Sequence, residues 1–108
     1  MSTTQVNMAI AEIDDLVQGM ASNETARTQK IADGLARIIR ERTFPVAAEA
    51  ASDRIWYWRQ ASQNLGKMAA GYEDAGVERG KVFALETRAS EVWRDADDLE
   101  KTLTSLAI

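Results

Sequence analysis

The chain contains no cysteine and no histidine among its 108 residues. Without cysteine it can form neither a disulfide nor a thiolate nucleophile. Without histidine it lacks the commonest general base and metal ligand, and the Glu-x-x-His pairs that hold metals in helical bundles cannot occur. No glycine-rich phosphate-binding loop follows a predicted strand either. We therefore expect a protein that is not an enzyme and has no catalytic residues, metal site, cofactor or small-molecule substrate.

Long uncharged runs are also missing. The longest charge-free stretch is residues 1–11, far shorter than the roughly 20 apolar residues of a membrane span. Residues 1–11 include no basic n-region of the kind that begins a signal peptide. Glu12, Asp14 and Asp15 follow and interrupt any apolar run. The sequence thus predicts neither a transmembrane segment nor a Sec-type signal peptide. The compartment stays open, with the cytoplasm or a virion as the expected locations.

Charge is moderate and unevenly distributed, for a net charge of −4. Residues 23–59 carry seven basic and five acidic side chains, residues 1–22 three acidic ones, and residues 60–108 six basic and nine acidic ones. Because the acidic ends can lie on the basic middle, no charged partner is required, which disfavours nucleic acid. The acidic run of Asp95, Asp97 and Asp98 lacks the glycine and glutamate of a calcium loop. We expect that run on a solvent-exposed helix face.

A composition of 45% hydrophobic and 28% charged residues fits one folded domain over residues 1–108. Apolar residues recur at helical spacing, without strand-like alternation. One apolar stripe keeps its phase across residues 22–25, which favours a continuous or mildly kinked helix over residues 3–43. The alternative is that Ser22 or Asn23 caps a separate helix. The stripe comprises Val6, Ile10, Ile13, Val17, Met20, Ile31 and Ile38.

The single proline gives the firmest helix boundary. Pro45 lacks a backbone donor and disfavours the helical conformation at Phe44, so one helix ends here and another can begin, capped by Thr43 or Phe44. A heptad rhythm then continues to the C-terminus, either as one helix or with a bend or short turn near Gly76–Gly80, which we favour. The predicted fold is all-α: a long helical hairpin or a small helical bundle of two to four helices.

Two apolar clusters predict an interaction surface. Eight residues near the C-terminus alternate at spacings of three and four, the rhythm of a coiled-coil seam. Residues 55–58 place large side chains around most of the helix, as either a bundle core or a partner-binding hot spot. The predicted surface comprises Ile55, Trp56, Trp58, Val82, Leu85, Ala89, Val92, Ala96, Leu99, Leu103 and Leu106.

The general layout, a short acidic cysteine-free chain broken near its middle, resembles the secreted helical hairpins of the WXG100 (ESAT-6-like) class. The chain departs from that class at its break, which is Phe44-Pro45 instead of a Trp-x-Gly turn. It departs again after Tyr72, because Gly76 stands where the class's secretion signal has an acidic residue. The resemblance therefore covers the layout and transfers no functional residue.

These patterns favour a non-enzymatic helical structural or assembly protein. We expect its partners to be proteins, either further copies in a homo-oligomer or the subunits of a larger assembly such as a phage virion or a secretion apparatus. Two alternatives stay open: a secreted WXG100-like helical hairpin, and a small acidic inhibitor or adaptor that binds another protein.

Overall fold

The computed structural model describes residues 3–18 and 23–107, which form four α-helices. These are α1 (Thr3–Val17), α2 (Glu24–Glu41), α3 (Phe44–Asp74) and α4 (Arg79–Leu106). No strand occurs in the described residues. The predicted all-α class is confirmed. Of the two predicted architectures the small bundle is observed, and its last two helices form a long hairpin.

The continuous helix predicted over residues 3–43 is wrong, because α1 and α2 are separate. The side chain of Asn23 accepts a hydrogen bond from the backbone N–H of Ala26, which caps α2 and satisfies one of its free donors. The second interpretation, a cap at Asn23, is therefore correct. Met20 of the predicted stripe and Ser22, the other candidate cap, lie outside the described residues.

Separating α1 from α2 allows the two helices to pack side by side. Gly34 of α2 permits this close approach, since a Cβ at that position would lie 2.2 Å from Cδ2 of Leu16 in α1. Arg42, just after α2, holds Glu12 of α1 through an ion pair of 2.6 Å. In this arrangement Ile13 and Leu16 of α1 are buried in one core with Ile31 and Leu35 of α2.

The predicted break at Phe44-Pro45 is confirmed. α2 ends at Glu41, and the Thr43 hydroxyl accepts a hydrogen bond from the backbone N–H of Val46 at the start of α3. Pro45 lies in the first turn, where a missing N–H leaves no bond unmade. The predicted turn near Gly76–Gly80 is also confirmed, and Gly76 adopts the positive φ of 77° that ends α3.

α1 and α2 cover only part of the α3–α4 hairpin. Asp14 of α1 lies 3.7 Å from Arg54 in the first half of α3, and Arg27 of α2 pairs with Asp95 in the last half of α4. All four helices contribute apolar side chains to the core between them. Its largest members include Ile13, Leu16, Ile31, Leu35, Ile38, Ile55, Trp58, Val92 and Leu99.

Residues 63–91 form the free end of the hairpin, which we call the arm. The structure describes every residue of the arm, and only Ala69 and Val82 of them are buried. The arm exists because α3 has 31 residues and α4 has 28, against 15 and 18 for α1 and α2. The longer helices continue past the ends of the shorter ones.

The arm makes the molecule elongated, with extents of 49 × 29 × 23 Å. Its radius of gyration is 15.6 Å, against about 13 Å for a compact domain of this length. Its accessible surface is 6587 Å², about 640 Å² more than expected for a monomer of this mass. None of the helices in the described ranges is both long and apolar enough to cross a lipid bilayer.

Candidate interaction surface

The aromatic cluster at residues 55–58 faces both inward and outward. Ile55 and Trp58 are buried in the core, whereas Trp56 is 64% exposed and Tyr57 is also exposed. The guanidinium of Arg54 lies 4.7 Å from the centre of the Tyr57 ring, a cation–π distance. The helix therefore uses half of the cluster for its own core and leaves the other half at the surface.

Most of the C-terminal seam packs inside the molecule against α3. Four of its residues, Val82, Val92, Ala96 and Leu99, are buried. The hydroxyl of Ser62 in α3 donates a 2.6 Å hydrogen bond to the carbonyl of Ala89, which fixes the two helices side by side. The remaining seam residues are the partly buried Leu85, Ala89 and Leu103 and the exposed Leu106.

A second apolar stripe runs along α3 and reaches the surface of the arm. We call it the front stripe; it comprises Ala61, Leu65, Met68 and Tyr72. Ala61 and Leu65 still pack against the core, whereas Met68 is 46% and Tyr72 40% exposed. The spacings of four and three keep these side chains in line with one another along one helix face.

The front stripe faces the same side of the hairpin as α1. It continues from Arg54, which is seven residues before Ala61 and meets Asp14 of α1. Past the end of α1 this line of side chains has no helix above it in the described chain. Met68 and Tyr72 belong to the heptad rhythm that the sequence shows after Pro45. They were not predicted on the interaction surface, because a heptad pattern does not show where the covering helix ends.

The opposite side of the arm carries Phe83, which is 63% exposed and was also missed. It is turned by about 100° from the buried Val82, toward the side of Trp93. Trp93 stacks under the guanidinium of Arg59 at 4.6 Å, and Arg59 also pairs with Asp97 at 3.0 Å. One face of the Trp93 ring is therefore already covered by Arg59 within the molecule, whereas most of the Phe83 side chain is exposed.

One charged cluster is buried where α2 meets α4. Asp95 was predicted to face solvent, and this is wrong: Asp95 and its partner Arg27 are both more than nine-tenths buried. Burial raises the pKa of the Asp95 carboxyl, although Arg27 acts in the opposite direction. Burial likewise raises the pKa of the neighbouring Asp98.

The charged cluster is structural in its geometry. Among the described residues no group of carboxylates is arranged to hold a metal ion. Within that part of the chain, Nε of Arg27 and Oδ2 of Asp98 are buried without a hydrogen-bond partner. The ion pair of the cluster connects α2 to α4.

Comparison with known proteins finds no matching family model, no matching curated protein and no matching solved structure. A functional assignment therefore depends on the exposed apolar surface, above all the arm with its front stripe.

Proposed function

We propose that this chain is a non-enzymatic structural component of a protein assembly and that it associates with copies of itself. A subunit or internal scaffold of a phage virion or of a secretion apparatus would be such a component. The observation that carries the proposal is the arm, a two-helix projection in which Ala69 and Val82 are the only buried side chains among residues all described by the structure.

The arm has little to stabilise it in an isolated molecule. Most helix stability in proteins comes from packing an apolar face, and only Ala69 and Val82 are buried in the arm. Fully burying a large apolar side chain contributes roughly 1.5–3 kcal/mol. Met68 and Tyr72 leave much of that contribution unused in the single chain. An assembly that covers them would supply it.

One glycine in the arm supports the same proposal. Gly71 lies inside α3 about 60° around the helix from Met68, where it costs about 1 kcal/mol relative to alanine. Apart from the backbone of α3 itself, no atom of the described chain lies within 4 Å of a Cβ built at this position. Close packing inside this molecule therefore does not account for Gly71, whereas the approach of a neighbouring chain would.

The nearly balanced charge of the arm favours a protein partner that is not strongly charged. The arm carries Lys67, Arg79, Lys81 and Arg88 against five acidic residues. An acidic inhibitor would present a surface of one sign, and the arm does not. The four-helix arrangement also differs from the simple hairpin layout that suggested a WXG100-like protein. No observation favours either alternative over an assembly component.

Light scattering coupled to size-exclusion chromatography tests the proposal. The monomer mass is 11.9 kDa. We expect the measured mass to rise to at least twice that value as the loading concentration increases from low to high micromolar. A constant monomer mass over the whole range would contradict self-association and with it the proposed function.

A further inference from the structure

We infer that the partner of the arm is the arm of a second copy, packed antiparallel with its front stripe facing the first, so that the two hairpins form a four-helix bundle around a two-fold axis near Met68. This inference rests on the proposed function and specifies its contact. A second arm is the partner that the surface suits, by the area of the molecule, the charge of the arm and the spacing of the stripe.

The surface of the whole molecule is consistent with a small symmetric interface. The chain exposes about 640 Å² more surface in total than a compact monomer of its mass, and a standard interface buries about 800 Å² on each partner. A two-fold contact uses the same patch on both copies, so no second complementary surface is needed. Two paired hairpins also reproduce the layered arrangement that the body of the molecule already has.

The spacing of the stripe suits an antiparallel contact. With the axis beside Met68, Leu65 of one arm lies level with Tyr72 of the other, so each partly covered aliphatic side chain meets an aromatic one. Met68 lies next to its own symmetry mate. Methionine adapts well to such a contact because its unbranched side chain fills irregular gaps. A parallel contact would instead place the two Tyr72 rings together at the tip.

The charges along the arm are complementary in the same register. Ser62 of α3 is level with Ala89 of α4, and Arg59 with Trp93, which gives the height of every residue along the hairpin. On that scale Glu78, at the tip of one arm, lies level with Arg88 near the base of the second copy's arm. The arm's four basic and five acidic side chains nearly cancel, so two arms do not repel one another.

Nucleic acid and membranes fit this surface poorly. A basic patch would favour both, because phosphate charge dominates nucleic-acid affinity and attraction to anionic headgroups adds to peripheral membrane binding. Glu73, Asp74 and Glu78 instead place acidic groups at the tip, which is the part of the arm that would approach such a partner first.

Cysteine cross-linking tests the contact, because the chain has no cysteine of its own. Met68→Cys places one thiol beside its symmetry mate, and a mild oxidant should convert this variant to a disulfide-linked dimer. Phe83→Cys is the matched control: it is also exposed and at a similar height on the arm, but on the opposite side. We expect Met68→Cys to cross-link at least about tenfold faster, which corresponds to a tenfold difference in the population of close pairs.

A charge substitution gives an independent measurement. Met68→Glu places two carboxylates together at the axis and should weaken self-association by about a hundredfold or more. Met8→Glu is the matched control: it changes a methionine of similar exposure, 48%, on α1 in the body, and should leave the mass unchanged at each concentration. Circular dichroism would check that both variants keep the helicity of the wild type, as expected for surface positions.

The outcomes separate the contact from the proposed function. If the wild type self-associates while Phe83→Cys cross-links as fast as Met68→Cys, or while neither cross-links, the antiparallel front-stripe contact is wrong and the assembly proposal stands. The contact is equally wrong if Met68→Glu associates as tightly as wild type. If the wild type stays monomeric at every concentration, both are wrong.

Discussion

The buried pair of Arg27 and Asp95 allows the sharpest test of the fold's energetics. Its side chains are 10% and 8% exposed, so both charges have lost nearly all of their hydration. Asp95→Asn would remove one charge and leave the guanidinium of Arg27 without a counter-ion. Breaking such a pair from one side typically costs about 3–5 kcal/mol. A small domain has a total stability of roughly 5–15 kcal/mol, so this single change should remove a large part of it.

Replacing both partners should have a very different effect. In Arg27→Met combined with Asp95→Leu, no charge is buried and the space stays filled. Such replacements are often neutral or stabilising by about 1–4 kcal/mol. A gain is favoured here because the pair is incompletely satisfied: within the described chain Nε of Arg27 has no partner.

Urea denaturation followed by circular dichroism would measure both variants. Arg88→Gln is a suitable control, because its ion pair with Glu91 is exposed and exposed pairs contribute about 0–1 kcal/mol. A large cost of leaving Arg27 unpaired is refuted if Asp95→Asn loses no more stability than the Arg88→Gln control. It is also refuted if the double variant is as unstable as the single one, since the cost would then come from lost packing and not from the unpaired charge.

Three further substitutions test burial and packing in the fold. Asp98→Asn should be more stable than wild type at neutral pH, and this difference should shrink on acidification. The reason is that burial raises the pKa of Asp98 in the fold. The wild type therefore gains stability as the pH falls through that raised pKa and loses stability as the pH rises. Urea titrations at neutral and mildly acidic pH measure this, and a pH-independent difference would contradict it. Gly34→Ala should destabilise by about 1–3 kcal/mol because its Cβ would collide with Leu16. Gly66→Ala, with open space around the added methyl group, should instead stabilise the monomer by roughly 0.5–1 kcal/mol. Thermal unfolding measures both glycine variants. Equal shifts of their melting temperatures would refute the packing described between α1 and α2.

Local chemistry made two of the helix boundaries predictable from sequence. At Phe44-Pro45 the proline ring itself prevents a helix from continuing, whatever the tertiary structure. At Gly76 a residue without a side chain supplies the left-handed conformation that ends α3. Neither feature depends on distant parts of the chain.

The boundary between α1 and α2 was harder to predict because two local signals disagree. The apolar stripe keeps its phase across the boundary, while Asn23 offers a cap. The cap prevails because folding back lets Ile13 meet Ile31 and Leu35 in one core. Periodicity reports which face of a helix is apolar and not whether the chain reverses beside it.

The tertiary contacts of charged and apolar side chains also could not be predicted from the sequence. Asp95 was assigned to the surface because its partner Arg27 is 68 residues away in the chain. Trp56 and Trp58 are similar in type and only two residues apart, yet one is exposed and the other buried. The length of α1 and α2 decides which part of the α3 stripe is covered, and that length depends on the boundary that was predicted wrongly.

Hydrogen–deuterium exchange at several protein concentrations tests most directly whether the apolar face of the arm is covered by another molecule. We predict that amides of residues 63–91 become more slowly exchanging as the concentration rises, whereas those around Ile31, Leu35 and Ile38 exchange at the same slow rate throughout. Exchange in the arm that does not change with concentration would show that the surface stays uncovered and would contradict the account.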